Sequence, residues 1–217
     1  MRYLWMDEYL LNKRSVTKDL QPVWSWVRYH IGGKMFAALC LDRENQPYYI
    51  TLKVDPAEGE FLRSQYPDIV AGYYCDKRNW ISVKPDGAVP DALLESLLDN
   101  AYRLMLSSFS KKRQREILKL SCCGTDCESC PWFTNKCTGC NACQGKVFHA
   151  PPSKPCPIYN CAVQKHRYLS CGECEHLPCQ IWKDVRDPQF SQQDFDASIF
   201  QRISQLKESF GASVPKP

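Results

Sequence analysis

The chain has 217 residues, with 28 Lys+Arg against 24 Asp+Glu and 14 cysteines. At 44% apolar and 24% charged it has the composition of a globular protein, which excludes disordered and fibrous classes. No stretch approaches the roughly 18 uncharged apolar residues of a membrane-spanning helix, and Asp7 and Glu8 interrupt the start before an export signal's apolar region can form. We therefore expect a cytoplasmic protein with no membrane partner; a formal net charge of +4 permits a nucleic-acid partner without demanding one.

Residues 6–13 read as a short helix with Tyr9, Leu10 and Leu11 apolar. Three extended runs follow, at 24–29, 34–41 and 48–54. The first and third alternate approximately with period two, and the second is continuously apolar, as a central strand is. Gly32-Gly33 and residues 42–47 supply hairpin-length turns, so the sheet should be antiparallel. Asp55-Pro56 opens a helix, with Pro56 suited to its first turn. Residues 79–84 form a further strand. From Pro90, Leu93, Leu94, Leu97, Leu98, Ala101, Tyr102 and Met105 build one apolar face of a longer helix. Strands with helices collected on one face define an α+β fold.

This half carries no phosphate-binding loop, dinucleotide fingerprint, zinc-protease motif or nucleophile elbow, and no acid–base constellation points to an enzyme. His30 and Cys40 read as structural residues. Cys75 lies beside Lys77 and Arg78, which favour a thiolate, yet inert is the preferred reading. What remains is a basic and aromatic set: Lys34, Lys53, Lys77, Arg78, Trp80 and Lys84, with the run Lys111 to Arg115. It is either a solvated face or a set of phosphate contacts.

Several separate blocks resemble the MmcQ/YjbR family. They are Met6-Asp7-Glu8-Tyr9-Leu10, Gly32-Gly33-Lys34-Met35-Phe36-Ala37, Leu52-Lys53-Val54-Asp55-Pro56, and Gly72-Tyr73-Tyr74 with Lys77-Arg78-Asn79-Trp80, closed by the helix that holds Tyr102. The resemblance covers residues 6–118. It implies a frataxin-like arrangement, helices packed on one face of an antiparallel sheet. It also implies a DNA-binding role, carried here by Lys34, Lys53, Lys77, Arg78 and Trp80. The family begins near Met6, so residues 1–5 read as an extension.

Only Cys40 and Cys75 precede residue 122; the other twelve cysteines lie within 58 residues. This shift in composition is the strongest boundary signal in the chain. It gives an α+β domain over 1–119, a cysteine-rich metal-binding domain over 120–187, and an amphipathic helix with a tail over 188–217. Residues 1–120 carry 18 basic and 15 acidic groups, and residues 121–217 carry 10 and 9.

The spacings are Cys123-x3-Cys127-x2-Cys130, Cys137-x2-Cys140-x2-Cys143, Cys156-x4-Cys161 and Cys171-x2-Cys174-x4-Cys179. A CxxC pair lets two thiolates of one tight turn reach a single tetrahedral ion. Three chemistries use such pairs. A disulfide framework needs an oxidising compartment, which nothing at the start of the sequence signals. An iron–sulfur cluster is a rival, since Cys137-x2-Cys140-x2-Cys143 with Cys156-Pro157 echoes a ferredoxin run. Structural zinc, two ions or more, is preferred because a segment with few long apolar runs needs staples.

The segment also resembles the small cysteine-rich domains of unknown function that open with a CGxDCxxCP-like motif. The matching blocks are Cys123-Gly124-Thr125-Asp126-Cys127-Glu128-Ser129-Cys130-Pro131, Cys137-Thr138-Gly139-Cys140, Cys156-Pro157-Ile158, Cys161-Ala162, and Cys171-Gly172-Glu173-Cys174 with Pro178-Cys179. The metal ligands expected are Cys123, Cys127, Cys130, Cys137, Cys140, Cys156, Cys161, Cys171, Cys174 and Cys179. Cys122 and Cys143 are the weakest candidates, and His149, His166 or His176 can complete a site. Two functions remain open: a non-enzymatic DNA-binding protein whose zinc module adds structure or contacts a protein, and a redox or metal-handling protein built on an iron–sulfur cluster or a labile metal.

Overall fold

The computed structural model describes residues 2–148, 150–186 and 190–210. The chain forms two compact units, Met1–Phe109 and Ser110–Pro217. The division precedes the composition boundary because the basic run is not a linker. It forms helix α4 (Lys111–Leu118), whose Gln114, Arg115, Ile117 and Leu118 are buried within the second unit. Arg115 donates its Nε to Asn141 Oδ1 at 2.9 Å and Nη1 to Leu169 O at 3.0 Å. Lys111 pairs with Glu173 at 3.1 Å, and Arg113 with Glu116 at 3.3 Å. Burial removes Arg115 from the candidate phosphate contacts, whereas Lys111, Lys112 and Arg113 stay half-exposed in surface pairs.

The first unit has the expected α+β architecture. Helix α1 (Met6–Leu11) precedes strands β1 (Val16–Gln21), β2 (Trp26–Ile31), β3 (Lys34–Leu41) and β4 (Pro47–Lys53). Helix α2 (Pro56–Gln65), strands β5 (Ile69–Ala71) and β6 (Trp80–Val83), and helix α3 (Asp91–Ser107) complete it. The six strands run in the order β1-β2-β3-β4-β6-β5, with every neighbouring pair antiparallel. Gly32 and Gly33 turn β2 into β3 with φ of +57° and +82°, the left-handed values that tight hairpins favour.

Leu94, Leu97, Leu98, Ala101, Tyr102, Met105 and Leu106 form the buried side of α3, which packs against β2, β3 and β4. Burying each leucine contributes about 1.5–3 kcal/mol. Phe36 meets Tyr102 edge-on, with ring centroids 5.8 Å apart. Asp55 caps α2 by accepting from Ala57 N at 2.9 Å. A second cluster gathers Trp26, Ala38 and Cys40 with Tyr48, Tyr49, Tyr73 and Cys75. Beside it the fully buried hydroxyls of Thr51 and Ser82 are satisfied by each other at 2.7 Å, and Tyr73 N donates to Ser82 at 2.8 Å.

Two strands escape the sequence pattern. β1 is a charged edge, exposed along Thr17 to Leu20, where Arg28 of β2 clasps Asp19 through two bonds of 2.8 and 2.7 Å. β5 is three residues long. Residues 2–5, which precede the start expected for the family, pack into the unit: Tyr3 is fully buried and donates to Val89 O at 2.7 Å, and Trp5 Nε1 reaches Asp91 at 3.1 Å.

The second unit has little regular structure between residues 121 and 186. Helix α5 (Pro157–Tyr159) runs into a π-helical turn at Asn160–Lys165, a 3-10 turn spans Cys171–Glu173, and helix α6 (Gln180–Asp184) follows. Helix α7 (Gln192–Phe210) then packs back on the cysteine-rich core. Leu206 is buried in that core beside Cys122, Cys156, Ile158, Cys171 and Trp182, and Ile199 and Ile203 lie against it. Its role is packing within the unit. No described helix is long and apolar enough to cross a membrane.

Candidate functional site

In the first unit the sheet brings all five proposed contact residues to one end. Lys53, the last residue of β4, lies opposite Trp80, the first of β6, and its ammonium stands 5.7 Å from the indole ring centroid. The turn between β5 and β6 carries Lys77 and Arg78. Lys77 is held by the Gly72 carbonyl at 2.7 Å, and Arg78 is exposed. β3 begins where antiparallel β4 ends, so Lys34 belongs to the same end of the sheet. Its Nζ donates to Ser108 Oγ at 3.2 Å and sits 4.3 Å from the Phe109 ring centroid. Asp76 stands within the group. The Asn79 amide and the Arg78 N–H bonded to it, aided by Lys53, hold its carboxyl below the usual range. This charge offsets part of the cluster's positive field. Lys84 is engaged by Asp68 at 3.4 Å.

The remaining candidates of this unit are structural. Cys40 is buried, and that burial pushes its thiol up to about 12. Burial likewise raises Cys75 against the opposing effect of Lys77, and so favours its neutral thiol. His30 is held below its ordinary value by burial and so favours the neutral form.

In the second unit the ten expected ligands divide between two cavities. Cys123, Cys127, Cys130, Cys137, Cys140 and Cys156 line one of about 150 Å³. Cys161, Cys171, Cys174 and Cys179 line another of about 550 Å³. Every described cysteine is a free thiol. Among the described residues no three His, Cys, Asp or Glu side chains converge as a ready-made metal site. The thiols therefore share cavity walls without meeting at one point.

Local chemistry explains how the six come together. Gly139, at φ +83°, turns the chain between Cys137 and Cys140 and donates its N–H to Cys137 Sγ at 3.3 Å. A Cβ on Gly139 would lie 3.2 Å from the Phe133 ring and 3.8 Å from Cys127 Sγ, so only glycine leaves this close approach open. Burial pushes the Cys127 thiol up to about 11, with Cys137, Cys123 and Cys130 adding to the rise. Burial and the neighbouring Cys123 and Cys156 also raise Cys140. At Cys123 burial is outweighed by the Arg202 guanidinium and by the Ser121 and Thr125 hydroxyls, which bring its thiol to about 7. Their distances to Sγ are 3.2 Å for Ser121 and 3.4 Å for Thr125. Arg202 comes from α7, donates Nε to Cys123 O at 3.0 Å, and lies 4.0 Å over the Trp182 ring.

Cys122 and Cys143 line neither cavity among the described residues. Cys143 donates to Gly139 O at 3.1 Å. Cys122 is buried in the core, its thiol held high first by a hydrogen bond with Cys171. His166 and His176 both line the four-thiol cavity, and His166 stacks on Tyr168 with centroids 5.2 Å apart. His149 lies outside the described residues. The donor set fits a soft or borderline cation held by thiolates. A buried orphan supports that fit: Trp182, on the wall of the four-thiol cavity, has an Nε1–H without a hydrogen-bond partner among the described residues. A thiolate sulfur is an acceptor for such a donor. Sequence spacing identified these cysteines but not their division, which depends on how α5, α6 and α7 fold back.

Relatives are found for the first unit. The sequence profile of the YjbR family matches residues 11–104. The chain is similar to YbdF of Escherichia coli O157:H7, at 34% identity over 89 residues, 41% of this chain and 71% of that protein. It is similar to YjbR of Escherichia coli strain K12, at 24% identity over 113 residues, 52% of this chain and 94% of that protein. Among solved structures, the crystal structure of Deinococcus radiodurans protein DR2400 is similar with a TM-score of 0.47 and 28% identity, over 53% of this chain and 86% of that one. The motifs, the antiparallel sheet and the likeness to YbdF agree: through its first unit the chain belongs to the YjbR family.

Proposed function

We propose that the chain is a non-enzymatic cytoplasmic binding protein with two parts. The second unit is a zinc-binding module folded by its thiolates, and the first unit contacts nucleic-acid phosphates at one end of its sheet. The observation that carries the reading is the collection of ten cysteines, and neither Cys122 nor Cys143, around two cavities. Half-buried thiols held above their ordinary values, as at Cys127 and Cys140, favour the neutral form without a cation. A divalent ion reverses that preference, because it is the largest local charge and deprotonates its ligands.

Zinc is favoured over the ferredoxin-like alternative because Cys143, which that quartet needs, donates to a backbone carbonyl and lies off the cavity wall. Elemental analysis of the purified chain is the test. Zinc in a colourless sample supports the module; brown protein with iron and acid-labile sulfide supports the cluster and ends the zinc reading.

For nucleic acid, the supporting observation is the gathering of Lys53, Lys77, Arg78 and Trp80 at the β4 and β6 ends. Cations neutralise phosphates and release counterions, so affinity must fall steeply with salt. Fluorescence anisotropy with a labelled duplex should show that dependence, and Lys77→Ala/Arg78→Ala should weaken binding on all sequences alike. Absent or salt-independent binding would end this half of the proposal. In that case the cluster is a solvated face.

A further inference from the structure

We infer that the second unit holds three zinc ions in two centres of different kind. One is a mononuclear site at Cys161, Cys171, Cys174 and Cys179; the other is a pair of ions sharing the thiolates of Cys123, Cys127, Cys130, Cys137, Cys140 and Cys156. The inference rests on the zinc reading above and adds number, ligand sets and nuclearity, which the spacings leave open.

A structural zinc ion takes four ligands in a tetrahedron. The larger cavity supplies four thiols and so completes one ion. Its two histidines are then surplus, which agrees with the stacking of His166 on Tyr168. The smaller cavity presents six thiols on one wall system. One tetrahedral ion would leave two thiols of that wall without a role. Two separate ions would need eight ligands, and no further cysteine lines that cavity among the described residues. Two ions that share two bridging thiolates need six. The pair is therefore the arrangement that uses every donor present.

Charge supports the same division. A zinc ion with four thiolates and a zinc pair with six each carry a formal charge of −2. The groups arranged against that charge are donors and a cation. Gly139 N–H already points at Cys137 Sγ at 3.3 Å, and the Ser121 and Thr125 hydroxyls sit on Cys123 Sγ. Arg202 brings its guanidinium to the wall of the six-thiol cavity, held by Cys123 O at 3.0 Å and by the Trp182 ring. Trp182 in turn lines the four-thiol cavity with its free Nε1–H. Hydrogen bonds of this kind to ligand sulfur are the usual outer shell of thiolate metal centres.

The test uses the full chain loaded with zinc. Native mass spectrometry should give the mass of the chain plus three zinc ions. Zinc-edge X-ray absorption should give an all-sulfur first shell at about 2.3 Å and a metal–metal path at roughly 3–3.4 Å, the separation that two shared thiolates impose. Cys161→Ser should lose one ion and keep the metal–metal path. If that variant does not fold, the wild-type count and path still decide. Two or four ions, or three without a metal–metal path, overturn the two-centre division while leaving a zinc module standing. No bound metal, or iron with labile sulfide, overturns the division and the zinc reading together.

Discussion

The two units solve the problem of staying folded by different means. In the first, α3 lays seven buried side chains across β2, β3 and β4, and the buried hydroxyls of Thr51 and Ser82 satisfy each other. Apolar burial and paired buried hydroxyls hold that unit. In the second, the stretch between α4 and α7 has helices of three and five residues, and its core mixes Val147, Ile158 and Trp182 with Cys122, Cys156 and Cys171. With little regular structure around that core, the proposed zinc sites would add the cohesion that short helices do not supply. On the proposed reading, the YjbR unit is held by its apolar core, whereas the cysteine-rich unit depends on the ions its thiols would bind.

That contrast is breakable. The largest effect is expected from Cys174→Ser/Cys179→Ser, which removes half the donors of the four-thiol cavity. Structural zinc binding contributes on the order of 10 kcal/mol, so calorimetry should show the second unit's transition lost and the first unit's unchanged. Next comes Leu97→Ala on the buried face of α3. It should cost about 3–4 kcal/mol, read as a lower unfolding midpoint of the first unit with zinc content intact.

A smaller cost, about 1–3 kcal/mol, is expected from Gly124→Ala. Gly124 has φ +78°, and a Cβ there would run into the Arg202 carbonyl. Hydrogen exchange should show α7 loosened on the cysteine core while the first unit is unaffected.

The smallest effect concerns pH. Burial raises the Asp7 carboxyl, but the hydrogen bonds from Lys18 at 2.9 Å and Tyr29 at 2.8 Å outweigh it and hold it below the usual value. A lowered folded value means the contribution is present above the unfolded carboxylate value. It is lost as pH falls through the folded one. Asp7 is half exposed, so screening keeps the contribution under about 1 kcal/mol. Asp7→Asn should therefore reduce the first unit's urea midpoint at pH 7 and leave it unchanged near pH 2.

Much of the first unit was legible because its residues obey simple periods. The leucines from 93 to 98 mark α3, Asp55-Pro56 marks the start of α2, and Gly32-Gly33 marks the hairpin. β1 was not legible, since a charged edge strand has no apolar alternation to read. The packing of Tyr3 and Trp5 was not legible because their partners, Val89 and Asp91, lie more than eighty residues away. The run Lys111 to Arg115 looked like a solvated boundary, yet Arg115 is buried on Asn141. A buried arginine betrays itself only through its partners. In the second unit spacing identified the thiols, but the division into six and four depends on long-range folding of α7 and α6, which spacing does not encode.

The proposed zinc module requires that ions hold the second unit and not the first. Hydrogen exchange along the whole chain, before and after removal of metal by a strong chelator under reducing conditions, tests it most directly. The expected result is loss of protection confined to amides of the second unit, Ser110–Pro217, with the strands and α3 of Met1–Phe109 unchanged. Protection retained in both units, or lost from both, would contradict it.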